Sequence, residues 1–252
     1  MLWIIFSILK GAHKVDHKLT PISPNESFRF SCSPDVPCFN ECCRDLNQFL
    51  MPYDILRLKN HLGLSSGDFL EQYTSQHTGP ESGLPIITLK PKDNVDLICP
   101  FVSPHGCMVY ENRPSSCRTY PLVRALSQSR QTGEITEQFM VLRELHCLGF
   151  KAGQSQTARQ WINEQEIAAY NDINDKLMQI ISLKNRRMTG PLDLKSKHFF
   201  YIALYDLDNF RSQIKKSGLR DDFHIDSTTM DKAMEDDEAL LELGMKCIKQ
   251  VL

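Results

Sequence analysis

Ser31-Cys-Ser-Pro-Asp-Val-Pro-Cys-Phe-Asn-Glu-Cys-Cys43 sets four cysteines within twelve residues. Pro34 and Pro37 keep its first half out of helix, because proline has no amide proton to give and its ring clashes with the preceding turn. Near Asn40 the chain can turn helical and carry Cys42 and Cys43. Buried free cysteines usually pack as small apolar side chains. Four of them on a polar, proline-rich loop are badly placed for that, so the stretch reads as a set of ligands. Neighbouring side chains point in different directions on helix and strand. Cys42 and Cys43 are therefore expected to serve different sites, or different irons of one cluster.

Working outward, four more cysteines follow at Cys99, Cys107, Cys117 and Cys147, and the ninth, Cys247, stands alone near the end of the 252 residues. The spacings are C-x5-C-x3-C-C, then C-x7-C-x9-C, then Cys147 after a long gap. Loops and strand ends deliver thiolates from several chain segments with little strain, and soft thiolates select zinc or iron–sulfur clusters. Eight thiolates suffice for two four-ligand sites. Zinc sites usually carry a C-x2-4-C knuckle. No C-x2-C occurs here, although Cys38-x3-Cys42 falls in the wider range, and the irregular spacing favours iron–sulfur over zinc. His105 and His146 flank Cys107 and Cys147 and read as neighbours of the ligands more than as ligands. Cys247 shares a helical face with Leu240, Leu243 and Val251 and reads as core.

Composition excludes several classes. The formal net charge is −2 and the hydrophobic share 41 %, so no basic excess advertises nucleic acid, and apolar content is too high for a disordered chain. Met1 to Leu9 is apolar but far short of the roughly 20 residues that span a bilayer. Lys10 follows that apolar core rather than preceding it, and no A-x-A cleavage pattern comes after, so a secretory signal is disfavoured. The expected location is a reducing cytoplasm, where clustered cysteines hold metal more often than they form disulfides. Cys38-x3-Cys42 begins the C-x3-C-x2-C pattern of radical S-adenosylmethionine enzymes, but Asp45 occupies the third position. There is no G-x-G-x-x-G, no G-x4-G-K-[ST] and no H-E-x-x-H.

Organisation follows from texture. Residues 1–26 read as an N-terminal extension without fixed structure, with a polar linker over 10–26. Pro52 suits the first turn of a helix carrying Ile55, Leu58 and Leu62, and Ser65 with Asp68 marks another helix start. The stretches 84–89, 95–99 and 107–110 are short and β-prone, and suggest a small antiparallel sheet with Cys99 and Cys107 at strand ends. Arg113 to Pro121 reads as a short helix halted by Pro121, and 135–145 as one more strand. After Gly153 the pattern turns helical, over 157–184, 199–215 and 232–252. The expected class is α+β. A small cysteine-rich metal-binding domain (27–150) with short antiparallel strands precedes an all-helical domain (151–252), which is the candidate surface for a protein partner. Glu235-Asp-Asp-Glu238 fits a solvated helix N-terminus. Arg44, Arg113 and Arg118 accompany the cysteines. Guanidinium groups beside metal thiolates offset charge and donate to sulfur, and Arg118, Arg44 and Tyr120 are the candidates for that supporting role. Two four-thiolate sites at −2 each would carry the formal charge from −2 to about −6.

Cys32, Cys38, Cys42-Cys43, Cys99-Pro-Phe101, Gly106-Cys-Met-Val-Tyr-Glu-Asn-Arg-Pro114 and Cys117-Arg-Thr-Tyr-Pro121 resemble the YkgJ-type cysteine-cluster proteins, described as a zinc- or iron-chelating domain. The likeness spans about residues 28 to 150. The run from Cys99 to Pro121 carries most of it, since each cysteine there has the expected Pro, Tyr, Arg or Tyr-Pro neighbours. The resemblance implies that Cys32, Cys38, Cys42, Cys43, Cys99, Cys107, Cys117 and Cys147 are the ligands. The family's motif is tighter, near C-x2-C-x2-C-C, and this chain spaces its first three cysteines more widely. The family also includes proteins similar to flagellin lysine N-methylases, which implies an alternative: a protein-modifying enzyme dependent on the metal centre. Nothing in residues 151 to 252 offers an evident methyl-donor site. Calorimetry of the metal-loaded protein with S-adenosylmethionine separates the two readings, and a metal-binding protein without methyl transfer should give no heat of binding.

Overall fold

The computed structural model describes residues 18–44, 46–80, 83–93, 95–128, 134–188, 190–216 and 222–252. In chain order the strands are β1 (Lys18–Ile22), β2 (Ser27–Arg29), β3 (Phe49–Leu50), β4 (Thr74–Thr78), β5 (Pro85–Leu89), β6 (Val102–Ser103), β7 (Gly106–Cys107), β8 (Leu122–Gln128), β9 (Ile135–Arg143) and β10 (Ser155–Thr157). The helices are α1 (Pro52–Leu62), α2 (Ser66–Tyr73), α3 (Ser115–Thr119), α4 (Ala158–Glu164), α5 (Ala168–Arg187), α6 (Leu194–Leu204), α7 (Leu207–Lys216), α8 (Ser227–Glu235) and α9 (Asp237–Val251). Single 3-10 turns lie at Glu41–Cys43, Tyr110–Asn112 and Gly149–Lys151. Short antiparallel strands thus occupy the N-terminal half and helices dominate the C-terminal part, the α+β class expected from the sequence. No helix among the described residues is long and apolar enough to cross a membrane.

The chain packs into two compact units, each assembled from separated stretches. The first comprises the chain up to Asn47, Asp93–Met108 and Ser115–Ala168. Its main sheet has the order β1-β9-β8, all antiparallel, with Ile22 opposite Phe139 and Leu122 opposite Val141. Alternation along β9 turns Phe139 and Val141 inward and leaves residues 134–138 exposed. β2 pairs with β10, and β6 with β7 in a tight hairpin. The core gathers Ile22, Phe28, Phe30, Leu122, Phe139, Val141 and Ala158, with Tyr120, Cys147, Phe150 and Trp161 packed against it. Phe30 meets Tyr120, Phe150 and Trp161 edge-on at centroid distances of 5.7, 5.2 and 5.5 Å, the arrangement aromatic quadrupoles favour.

The second unit comprises Gln48–Lys92, Val109–Pro114 and Ala169–Leu252. It holds the small sheet β3-β5-β4, most of the helices, and the buried side chains Tyr53, Leu58, Phe69, Phe200, Phe210 and Leu240. A Cβ on Gly244 would stand 2.3 Å from the Ala203 carbonyl oxygen, so α9 and α6 approach more closely than any side chain there permits. Lys59 is only 5 % exposed, and its Nζ donates to Asp237 at 2.6 Å, an ion pair for the buried side chain. Cys247 is buried on α9, as its helical face predicted.

Several expectations need correction. Residues 18–22, assigned above to a linker, form β1. They pair at the edge of the main sheet, where Pro21 is tolerated because an edge strand need not donate on its free side. The unstructured reading of residues 1–17 lies outside the described residues. Of the three β-prone pieces, only 84–89 is a full strand. Residues 95–99 are irregular, so Cys99 stands on a loop, and 107–110 supplies one strand residue before a 3-10 turn. A seven-residue strand, β8, went unread between Pro121 and the expected strand over 135–145. Each long helix is two. The stretch 157–184 breaks between α4 and α5, where Glu166 takes φ 49°, and 199–215 breaks at Tyr205–Asp206. The stretch 232–252 breaks at Asp236, whose carboxylate accepts from the Ala239 amide at 2.6 Å and so caps α9.

Gly149 is a tightly packed backbone position beside the thiols. A Cβ there would lie 2.6 Å from the Phe30 ring and 2.7 Å from the Ser31 carbonyl oxygen. Gly149→Ala should destabilise the first unit by about 1–3 kcal/mol, the range for overpacking, read as a lower midpoint in thermal or denaturant unfolding. An unchanged midpoint would remove Gly149 as a packing constraint.

Candidate metal centre

All eight clustered cysteines fall in the first unit, and Cys247 falls in the second. None of the nine cysteines is in a disulfide. The gathering begins at the end of β2. Phe30 is anchored in the aromatic core, and the Ser31 amide donates to the Gly149 carbonyl at 3.1 Å. That bond lays the Cys32 segment beside the Cys147 segment. Successive turns at Ser33–Val36 and Val36–Phe39 then fold the proline-rich loop back on itself, and the 3-10 turn Glu41–Cys43 follows. Asn40 at its start adopts φ 70°, a left-handed conformation asparagine tolerates better than most residues, and its side-chain amide donates to the Ser103 carbonyl at 3.0 Å.

Cys32, Cys38, Cys42 and Cys147 line one small cavity, of about 10 Å³, together with Tyr120 and His146. The Leu148 amide donates to Cys38 Sγ at 3.1 Å. Such a bond from backbone to sulfur stabilises a thiolate once formed. Tyr120 presents its hydroxyl beside Cys147 and Glu144. That oxygen is shut off from solvent and makes no well-formed hydrogen bond among the described residues.

The other four come together around the loop before β6. The Cys99 amide donates to the Cys43 carbonyl at 2.8 Å, tying the second cysteine stretch to the first. The Val102 amide donates to the Cys99 carbonyl, and Val102 pairs with Cys107 across the hairpin. Cys117 sits on the short helix α3. Cys43 is close enough to Cys99 and Cys117 for their charges to act on it, and Cys99 to Cys107 and Cys42.

Around Cys32, Cys99 and Cys147 the environment favours the neutral thiol. Burial pushes Cys32 up to about 11, and Cys42, Cys38 and Cys147 add to the effect. Burial likewise raises Cys99 to about 11, against nearby amides of Phe101 and Val102 that pull it down. Cys147 is raised chiefly by burial, and the Tyr120 hydroxyl beside it works the other way. Tyr120 itself is raised, first by burial and then by Cys147. Cys42 and Cys43 share a hydrogen bond that lowers Cys42 and raises Cys43, as expected when one thiol donates to the other sulfur. A cluster of thiolates without a counter-charge is costly here, and a cation changes that balance.

The supporting residues distribute unevenly. Tyr120 lies at the cavity. Arg118 is buried and its guanidinium donates to the Gln165 carbonyl at 2.7 Å. Arg44 is exposed and pairs with Glu41 at 3.5 Å. Arg113 belongs to the second unit and stacks over Tyr110 at 3.8 Å from its centroid. His105 is exposed in the β6–β7 turn, while His146 lines the cavity with Nε2 3.7 Å from Glu144. Sequence reasoning overlooked Glu144, the Leu148 amide and Phe30. Only their nearness to cysteines in the chain hinted at them.

Among the described residues, no three His, Cys, Asp or Glu side chains are closed to a spacing that grips a metal ion. Ligation would draw neighbouring sulfurs together as their protons leave. The donors nonetheless suit zinc or iron: a cavity with room for about one small occupant, four thiols around it, an amide aimed at one sulfur, and a buried hydroxyl at its wall. Residues 31–148 match the family model CxxCxxCC, "Putative zinc- or iron-chelating domain". This segment is similar to that family. Nothing among curated proteins or solved structures matches the chain. The matched segment begins one residue before Cys32 and ends one after Cys147, enclosing all eight thiols and leaving Cys247 outside.

Thiols held protonated must give up protons to become ligands. Zinc affinity of the apo protein should therefore rise with pH between about 6 and 8. Each proton released per ion contributes about tenfold per pH unit. Isothermal titration at several pH values, in buffers of different ionisation heat, measures both the slope and the protons released. A pH-independent affinity would remove thiols as the ligands.

Proposed function

We propose that residues 31–148 bind iron, as an iron–sulfur cluster, or zinc through Cys32, Cys38, Cys42, Cys43, Cys99, Cys107, Cys117 and Cys147. The role is structural or redox, and the setting a reducing cytoplasm. The observation that supports this reading is the convergence of eight thiols from four separate stretches onto one packed unit, with the ninth left in a helical core elsewhere. Packing needs no such convergence, because a lone cysteine fills a core gap equally well. The family description supports zinc or iron without choosing, and the irregular cysteine spacing favours the cluster.

The chain's own part in binding is to deliver, neutralise and shield. Pro34 and Pro37 limit the loop's freedom, which lowers the entropy lost on ligation. The Leu148 amide and Tyr120 hydroxyl are placed to donate to sulfur that has become anionic. The Phe30 cluster closes one side against water. When bound, zinc would supply cross-linking without redox chemistry, and a cluster would supply one-electron transfer. Full ligation by cysteine favours a structural or electron-carrying role, since catalytic zinc keeps an open position. We further propose that residues 27–150 act as the chelating domain and that the helices of 151–252 offer a surface for a protein partner.

Anaerobic purification followed by metal and acid-labile sulfide analysis tests this directly. A cluster should give iron and sulfide in equal amounts with visible absorption, and zinc should give a colourless protein with stoichiometric metal. Metal-free protein would overturn the proposal. Chelation should lower the unfolding midpoint of the first unit before the second, followed by amide exchange in each.

A further inference from the structure

The eight clustered cysteines gather around two places in the first unit, a cavity and a loop with its hairpin. The first is defined by the cavity itself: Cys32, Cys38, Cys42 and Cys147 are the four thiols in its wall. Two backbone bonds hold this set, from Ser31 to the Gly149 carbonyl and from Leu148 to Cys38 Sγ. The second is defined by the loop and hairpin: the Cys99 amide bonds to Cys43, Cys107 stands opposite Val102, and Cys117 and Cys99 lie beside Cys43. The division runs through one peptide bond, between Cys42 and Cys43 on the 3-10 turn, where successive side chains step about 120° around the axis. Cys42 touches both sets, through its hydrogen bond with Cys43 and its nearness to Cys99. Its place in the cavity wall assigns it to the first.

We infer that the chain holds two separate four-thiolate centres, one formed by Cys32, Cys38, Cys42 and Cys147 and the other by Cys43, Cys99, Cys107 and Cys117. The inference rests on the metal-binding reading above and adds which thiols act together. The pairing crosses the chain order. Cys147, last of the clustered cysteines, joins three from the first stretch, while Cys43 from that stretch joins the three from 99–117. Ligation of each centre converts four thiols to thiolates, with four protons passing to solvent.

The test compares metal content in full-length single and double variants with the wild type. Cys32→Ser and Cys99→Ser should each lose about half the metal. Cys32→Ser with Cys147→Ser should lose no more than either alone, and so should Cys99→Ser with Cys107→Ser. Cys32→Ser with Cys99→Ser should lose nearly all. A wild type without metal overturns the metal-binding reading. A metal-loaded wild type in which any single variant loses everything, or in which within-set and cross-set doubles behave alike, overturns the pairing alone. Because a variant may fail to fold, a second measurement uses the wild type. Half-loaded protein is alkylated under native conditions and single molecules are mapped by fragmentation. The protected thiols should be one whole set or the other. Molecules protecting a mixture of the two sets would defeat the assignment.

Discussion

The ring of Phe30, edge-on to Tyr120, Phe150 and Trp161, fixes the first unit where its chemistry lies. It is the last apolar anchor before Ser31 and Cys32, and it is shut against Gly149, two residues beyond Cys147. One aromatic cluster therefore locates both ends of the matched segment, residues 31 and 148. The cavity between them is a by-product of that closure. Tyr120 contributes its ring to the cluster and its hydroxyl to the cavity wall, so packing and ligand environment share a residue. An alanine at Phe30 would loosen the core and separate Cys32 from Cys147 at once.

Around this anchor the electrostatics run in a consistent direction. The unit supplies sulfur in quantity, while Arg44 faces solvent with Glu41 and Arg118 reaches the Gln165 carbonyl. At Cys32 and Cys99 burial favours the neutral thiol. A bound cation would stabilise the thiolate form there. Unlike a salt-bridged surface, such a site selects its occupant by softness and charge rather than by shape alone.

The cysteine pattern was legible because ligand chemistry is written in residue identity: thiols at Cys32 through Cys147 on loop sequence, and Cys247 on an apolar helical face. Local signals were equally readable. Ser65 accepts from the Asp68 amide as a capping residue should, and Pro52 opens α1. What escaped was set by partners distant in sequence. β1 looks like a polar linker until β9 supplies its hydrogen bonds. β8 is a strand because β9 lies beside it. The helix breaks at Glu166, Tyr205 and Asp236 are invisible to periodicity, which continues through a short interruption without losing phase. Which thiols neighbour which is likewise a property of the turns between them, and spacing alone cannot supply it.

The two units also differ in how the chain enters them. β10 closes on β2, and Trp161 packs on Phe28 and Phe30, donating its Nε1–H to the Thr119 carbonyl. β10 and Trp161 lie beyond the matched segment, and β1, β2, Phe28 and Phe30 lie before it. A fragment trimmed to 31–148 keeps all eight sulfurs yet discards β1 from the main sheet, both strands of the β2–β10 pair, and Phe30 together with the indole packed on it. It also retains α1 and α2, cut away from the helices with which they share a core. The ligand-bearing segment and the self-sufficient folding segment are thus different lengths of chain, and no single cut in the backbone yields either unit whole.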